Sequence, residues 1–516
     1  MTHSSHSSPP PPERKSWADA AAAYTDRRAV TLFLLGFSAG VPILLIFSSL
    51  SLWLREAGVD RSTVTMFSWA ALAYSFKFVW APLIDSLPLP LLTRLLGKRR
   101  SWLLVAQLLI VSAICWMAMV NPTTETALLY MAAAAVLLGF SSATQDVVID
   151  AYRIEAAQDN IAMQSVTAAT YNAGYRIGMI VAGAGALFLA AKLGSHENAY
   201  VYAAWQQTYF IMAAVMGVGI LTTFTMHEPE TSRLTTAARP LADNLRLLLL
   251  FALSVSAFVL AFSQLGGVLP KTGGVLAAFG VEALRLLLSM AAAGVIGTLT
   301  VKSGLVPKQL ALDTWIEPVA DFFHRYGRSA ILLLALIGLY RISDIVAGVI
   351  SNVFYQDMGF SKEEIAAAVK TFGVVMAIAG GFLGGLMSQK FALMKMMMIG
   401  AILAAATNLL FILLAYRGHD VPFMYLAVGF DNLAAGLAGA VFIAFLSALT
   451  NIRFTAVQYA IFSSLMTLLP KTLGGYSGSI VDKIGYPGFF MFTALLGVPV
   501  LLLVYLTDKK IYRNQR

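Results

Sequence analysis

The sequence is short of charge. Only 12% of its 516 residues are Asp, Glu, Lys or Arg, about half of the ~25% that a soluble domain carries, so they cannot coat a water-facing surface of this size. A water-soluble enzyme is therefore excluded as a first reading. Cysteine is nearly absent too. The lone Cys115 excludes a disulfide framework and a cysteine-built metal site, and within SAICWMAMV it reads as a small buried filler. The six histidines, His3, His6, His196, His227, His324 and His419, fall in tails or loops with no metal-ligand spacing. No GxxxxGK[ST] loop occurs, so this chain has no nucleotide engine of its own. No cofactor is expected, and the energy must come from an ion gradient or from the substrate gradient. A cleavable leader is not expected either, because the first apolar run is too long and follows a Ser- and Pro-rich tail.

What the chain has instead is apolar length: 58% hydrophobic residues and a mean hydropathy of +0.74. A ~30 Å hydrocarbon layer needs ~20 helical residues. Fourteen runs meet that length: Val30 to Leu54, Thr63 to Ile84, Trp102 to Val120, Thr126 to Ile149, Met163 to Ala191, Val201 to Met226, Leu245 to Gln264, Glu282 to Val301, Ser329 to Phe354, Glu364 to Met387, Met394 to Tyr416, Pro422 to Leu449, Phe454 to Ile480 and Tyr486 to Leu506. Barrel strands are shorter and alternate in polarity, so the fold class is an all-α polytopic membrane protein. With fourteen spans, roughly three quarters of the Lys and Arg outside them fall on the side of the amino terminus, which places both termini in the cytoplasm. The net charge of +9 is thereby a topology signal, and no nucleic-acid partner is implied. The clusters Arg27–Arg28, Lys98–Arg100 and Lys509–Arg516 read as anchors facing lipid headgroups.

The connections WAPLIDSLPLPLLTRLLGKRRSWLL and GGFLGGLMSQKFALMKMMMIG echo each other, each a helix end, a basic turn and a new helix. Setting Leu245 to Val301 aside as an inserted pair puts them at equivalent places in two six-helix halves. The expected organisation is a disordered cytoplasmic tail at 1–29, a first half at 30–226 and a linker with the inserted pair at 227–301. An amphipathic cytoplasmic linker follows at 302–328, then a second half at 329–507 and a tail at 508–516.

An ionisable group at mid-membrane costs ~2.5–3.5 kcal/mol or more, which makes each one a functional candidate. Depth along the runs places Arg176, Arg341, Asp344 and Asp431 near the midplane, Lys77, Asp85, Asp146, Asp150 and Arg153 toward the inner face, and Lys370 toward the outer face. In TYNAGYRIGM, Tyr171, Asn172, Tyr175 and Arg176 share a helix face suited to an anionic, sugar-bearing ligand, because Arg grips a carboxylate and flat rings stack on sugars. Core packing would explain the tyrosines but not the arginine. Arg341 and Asp344 are three apart and can pair on one face as a structural or gating unit. Asp431 is a lone deep acid, read either as a proton carrier or as a partner of Arg176, Arg341 or Lys370. Asp146 and Asp150 share a face with Arg153 a turn away, and with Lys77 and Asp85 they form the expected inner gate.

These segments together resemble the AmpG-type muropeptide permeases of the major facilitator superfamily. The resemblance rests on FKFVWAPLID, ATQDVVIDAYR, YNAGYRIGM, LYRISDIVAGVISNVFYQDMGFSKEEIA, VKTFGVVMAIAGGFLGG, DNLAAGLAGAVFIAFLSAL and RFTAVQYAIFSSLMTLLPKTLGGYSGSIVDKIGYPGFF, in the family's order from Gly36 to Leu506. It implies the facilitator fold with two inserted helices, and location in the inner membrane of a Gram-negative bacterium. The implied activity is proton-coupled import of N-acetylglucosaminyl-1,6-anhydro-N-acetylmuramyl peptides, for peptidoglycan recycling and β-lactamase induction. On that reading Arg176, Arg341 and Lys370 receive the ligand's carboxylates, Asp431 and Asp344 serve proton coupling, and the protein works as a monomer with no cofactor beyond the proton gradient. Relatives that carry ferric siderophores or acyl-CoA keep another anionic ligand open, and a membrane-embedded wall transferase is a more distant alternative. The sequence differs from the family pattern in having Asp431 where glutamate is commoner, and Gln389 near where Asp85 would align.

Overall fold

The structure, a computed structural model, describes residues 17–512 apart from 61–62, 65–66, 68–73, 75, 159, 196–198, 231–239, 271–274 and 475. Every regular element within them is helical, as the run lengths require, since a spanning segment must satisfy its own backbone in lipid. Thirteen helices among the described residues are long and apolar enough to cross a membrane. The middle of the run read from Thr63 to Ile84 lies outside the described residues, and its end is the turn Lys77–Val79 followed by the helix Ala81–Ser86.

In chain order the principal helices are α1 (Trp17–Ala22), α2 (Arg27–Leu44), α3 (Lys98–Ala118), α4 (Glu125–Ala156), α5 (Ile161–Ile180), α6 (Tyr202–Val215), α7 (Leu241–Val268) and α8 (Val275–Lys302). The second set is α9 (Glu317–Tyr326), α10 (Ser329–Leu339), α11 (Ile342–Asp357), α12 (Gly373–Ser388), α13 (Leu393–Arg417), α14 (Val421–Leu449), α15 (Thr455–Gly474) and α16 (Ser477–Thr507). Their starts are written in the sequence. Asp26, Thr124, Asn160 and Asp420 each accept a bond from a backbone N–H of the first turn of α2, α4, α5 and α14, respectively, satisfying donors that a helix start otherwise leaves open. α16 is two helices divided at Gly485, whose φ of 70° suits glycine.

Each half is held by glycine seams that let backbones touch. A Cβ on Gly36 or Gly40 of α2 would meet the carbonyl oxygen of Tyr171 or Tyr175 at 2.2 or 2.0 Å, and one on Gly174 of α5 would meet that of Phe33 at 2.0 Å. The second half repeats the device between α12 and α14, where a Cβ on Gly380 would sit 2.0 Å from the Leu433 oxygen and one on Gly436 2.0 Å from the Ala377 oxygen. Without a hydrophobic force between helices in lipid, this close contact is what joins them. Gly174→Val is therefore expected to cost at least the ~1–3 kcal/mol of an overpacked core, read as a lower melting temperature in detergent. An unchanged melting curve would contradict the seam.

Both described chain ends lie at one end of the bundle, here called the terminal end. Arg27 Nη2 donates to the Thr225 carbonyl at 2.6 Å, and Tyr512 lies beside Tyr326. Two expectations about the tails need correction. Residues 17–29 are not a loose tail: α1 and the turn Ala23–Thr25 dock on the second half, with Tyr24 Oη donating to the Phe382 carbonyl at 2.5 Å and the Lys390 ammonium 3.9 Å from the Trp17 ring centre. At the other end, Asp508–Tyr512 continues α16 as one wide turn and buries Ile511. In both places aromatic or aliphatic residues among the charges supply a buried face. Residues 1–16 and 513–516 lie outside the described residues.

The inserted pair α7 and α8 pack on each other and bury little else, with Leu247 and Leu250 the buried positions of α7. Both helices run further than the sequence reading placed them, so that Gly266 and Gly267 are helical rather than loop. α9 buries Pro318 and Phe322, leaves Val319 and Phe323 exposed, and turns Asp321 toward the second half, where it accepts from Gln458 at 2.9 Å. It is tied to the second half by Arg325, which donates to the Leu449 carbonyl at 3.1 Å and to Gln458 at 2.9 Å. Just before it, Trp315 donates to the Val79 carbonyl of the first half at 3.3 Å.

Candidate functional site

Two charged clusters sit on the boundary between the halves, one near mid-span and one at the terminal end. At mid-span the helix α10 stops at Leu339, and Tyr340 and Arg341 form a turn before α11 begins at Ile342. That break frees Arg341 to fold back on the first turn of α11, where its Nε donates to Asp344 Oδ2 at 2.9 Å and its Nη2 bonds the same oxygen. Asp431, on α14, accepts from Thr407 Oγ1 of α13 at 3.0 Å and lies within electrostatic reach of Asp344 and Arg341. A polar chain runs alongside, from Asn408 Nδ2 to Ser343 Oγ at 2.8 Å and from Ser343 Oγ to the Thr493 carbonyl at 2.8 Å.

Facing this cluster from the first half is Arg176, half-buried on α5, with the Arg341 charge as its electrostatic neighbour. Among the described residues Arg176 has no acidic partner. Of the two guanidinium groups only Arg341 has an ion-pair partner among the described residues, which leaves Arg176 open to an anion. Tyr171 and Tyr175 lie one turn apart on α5 with ring centres 6.0 Å apart, and Asn172 is on the same stretch. Lys370 stands on the wide turn Ala366–Phe372 and is exposed, with no ion-pair partner among the described residues.

Toward the terminal end, Asp146 and Asp150 differ sharply. Asp150 is paired with Lys77 at 3.4 Å and lies 3.8 Å from Arg153. Asp146 forms no ion pair among the described residues, and Tyr171 Oη donates to it at 3.5 Å. Arg153 crosses the boundary, donating to Ser447 Oγ of α14 at 2.9 Å with its guanidinium 5.0 Å from the Tyr459 ring centre.

A third ionic cluster among the described residues, around Arg99, is one that the sequence does not announce. The basic triplet Lys98–Arg100 reads as a lipid-facing anchor, yet Arg99 is 1% exposed. Its Nη2 donates to Asp85 Oδ1 at 2.8 Å and to Glu155 Oε1 at 2.6 Å, and its backbone N–H donates to Glu228 at 2.7 Å. Both carboxylates then reach the second half. Asp85 Oδ2 accepts from the backbone N–H of Val457 at 3.0 Å, and Glu155 Oε1 accepts from Thr455 Oγ1 at 2.8 Å, so the first turn of α15 and its positive dipole end rest on an acidic pair. These joins, with that of Tyr24 to Phe382, draw the halves together at the terminal end.

The comparisons agree with this architecture. Residues 332–515 match the profile of the Major Facilitator Superfamily, and residues 29–226 match that of acetyl-coenzyme A transporter 1. The putative transporter AmpG 4 of Rickettsia felis is 30% identical over 488 residues, covering 95% of this chain and 98% of the relative. The anhydromuropeptide permease of Escherichia coli is 30% identical over 478 residues, 92% of this chain and 79% of the relative. Among solved structures, a double tryptophan variant of XylE aligns with a TM-score of 0.59 over 92% of this chain and 94% of that one, and the Escherichia coli fucose:proton symporter FucP with 0.56 over 92% and 97%. At 12% identity both likenesses are of fold alone. On sequence and fold together, the chain belongs to the AmpG family of multi-pass transporters within the major facilitator superfamily.

Proposed function

We propose that the protein imports anhydro-muropeptides across the bacterial inner membrane by proton-coupled alternating access. The observation that carries this reading is Arg176, without an acidic partner among the described residues, facing Arg341 across the boundary of the halves on the same helix as Tyr171 and Tyr175. A peptide carboxylate supplies the missing negative charge, and the sugar rings supply flat faces for the tyrosines. Asn172 and the exposed Lys370 complete the ligand contacts, and the acids Asp344 and Asp431 carry the coupling proton. The relative from Escherichia coli bears the name of an anhydromuropeptide permease, which supports this ligand class.

With fourteen spans and both termini in the cytoplasm, as the basic bias favours, the terminal end faces inward. The contacts of Arg99, Asp85, Glu155 and Arg153 then close the inner gate, and the chain rests with its site directed to the periplasm. Lys77, Asp146 and Asp150 belong to the same gate, and rocking of the halves opens it. The protein acts as a monomer, and the proton gradient replaces any cofactor.

Uptake of radiolabelled anhydro-muropeptide into proteoliposomes tests the reading. An inward proton gradient is expected to drive accumulation, which unlabelled muropeptide suppresses and ferric siderophore does not. Acetyl-CoA is the sharper competitor, given the match of residues 29–226 to an acetyl-coenzyme A transporter. Displacement of muropeptide by acetyl-CoA, or accumulation indifferent to the gradient, would overturn the assignment.

A further inference from the structure

We infer that Asp344 is a resident counter-ion of Arg341 which the substrate's carboxylate displaces, and that the displaced Asp344 takes the transported proton. The inference rests on the proposed muropeptide import and divides the proton role between its two candidate acids.

The two acids are not equivalent in their surroundings. Asp431 is held by a donor outside the ion pair, Thr407 Oγ1, which remains whatever Arg341 does. Asp344 has no such reserve. Both guanidinium bonds converge on its Oδ2, and its Oδ1 is buried without a hydrogen-bond partner among the described residues. The pair is also lopsided in exposure: the Arg341 side chain is 26% exposed and that of Asp344 10%. A ligand arriving at the boundary of the halves therefore meets the arginine first, with the aspartate behind it.

Arg341 can change partner at little conformational cost. It sits in the turn between α10 and α11, outside either helix, and a Cβ on the facing Gly439 would lie 3.4 Å from its Nη1, so the wall beside the guanidinium is bare backbone. Arg176 adds a second positive charge from the first half, which favours an anion placed between the two over one placed behind Arg341.

Once a carboxylate holds Arg341, Asp344 is a buried charge with no counter-ion. The groups facing it are Arg341 and Tyr340 from its own span and Asp431 from α14, and the last of these repels it. An uncompensated buried carboxylate is a high-energy state that protonation relieves. Asn408, whose Nδ2 donates to Ser343 next to Asp344 in the chain, likewise has a buried Oδ1 with no donor among the described residues. The balance is simple. The ligand's carboxylate forms the bonds that Asp344 gives up, one proton from the outer solution binds Asp344, and the net charge of the occupied site stays constant. When the site opens inward and the ligand leaves, Arg341 returns to Asp344 and expels the proton into the cytoplasm.

Proton uptake on binding separates the possibilities. The measurement is titration of purified protein with N-acetylglucosaminyl-1,6-anhydro-N-acetylmuramyl tripeptide in two buffers of differing ionisation enthalpy. The parent protein is expected to take up about one proton per ligand bound, since binding and protonation are linked at one site. Asp344→Asn should bind the ligand with no proton uptake and an affinity independent of pH, whereas Asp431→Asn should still take up the proton. A ligand carrying carboxamides in place of its carboxylates, tested on the unaltered protein, should take up none, which keeps the test valid if a variant fails to fold. Proton uptake persisting in Asp344→Asn or with the carboxamide ligand overturns the exchange. So does binding by the parent without proton uptake. Failure of the parent to bind the muropeptide at all removes the substrate reading, and this inference with it.

Discussion

Arg99→Ala is expected to loosen the terminal end and to depress uptake by at least an order of magnitude. The side chain is 1% exposed and is shared by two carboxylates, Asp85 and Glu155, that are themselves 5% and 2% exposed. Removing one partner from a buried ion pair typically costs ~3–5 kcal/mol, because the charge left behind has neither water nor counter-ion. Here two carboxylates are left, and both also hold the second half through Val457 and Thr455. Their mutual repulsion would act at these contacts between the halves. The variant should melt at lower temperature in detergent, and cysteines placed along the inner mouth should label faster. Arg99→Lys should recover only part of the effect, since one ammonium lacks the planar fork that reaches Asp85 and Glu155 together. An Arg99→Ala protein with parental melting and parental labelling would show that the network is ornamental.

That network also shows where the sequence stops being informative. The spans were legible because lipid imposes a length and a composition on every crossing helix. The burial of Arg99 was not, because a basic triplet at the foot of a span looks the same whether it meets headgroups or acids. Its partners Asp85, Glu155 and Glu228 come from three other segments, separated from it by 14, 56 and 129 residues. The turn at Tyr340 and Arg341 carries no glycine or proline, so nothing local announces that the span is broken there. Arg341, Asp344 and Arg176 are nonetheless legible, since a charge inside an apolar run is conspicuous wherever the helix bends. What counting could not tell was which of the three lacks a partner, and that difference decides their roles.

Arg176→Ala is expected to raise the KM for muropeptide by about 10- to 150-fold, the effect of losing a charge-assisted hydrogen bond worth ~1.5–3 kcal/mol. The sign of its effect on stability should be the opposite of that for Arg99. Arg99 satisfies acids, so its removal destabilises the fold. Arg176 satisfies no acid among the described residues and lies within reach of the Arg341 charge, so its removal relieves a repulsion between like charges and frees the fold of a half-buried cation. Melting temperature in detergent should stay level or rise while transport falls, the pattern of a residue kept for function at some expense to the fold. Arg176→Lys should restore part of the affinity, since the charge returns without the two-pronged grip on a carboxylate. The carboxamide ligand sharpens the reading: if Arg176 meets the substrate's carboxylate, the parent and Arg176→Ala should differ little toward the carboxamide and strongly toward the acid. Equal KM values for the acid in both proteins would remove Arg176 from the site, and a fall in melting temperature as large as that of Arg99→Ala would recast it as a structural residue.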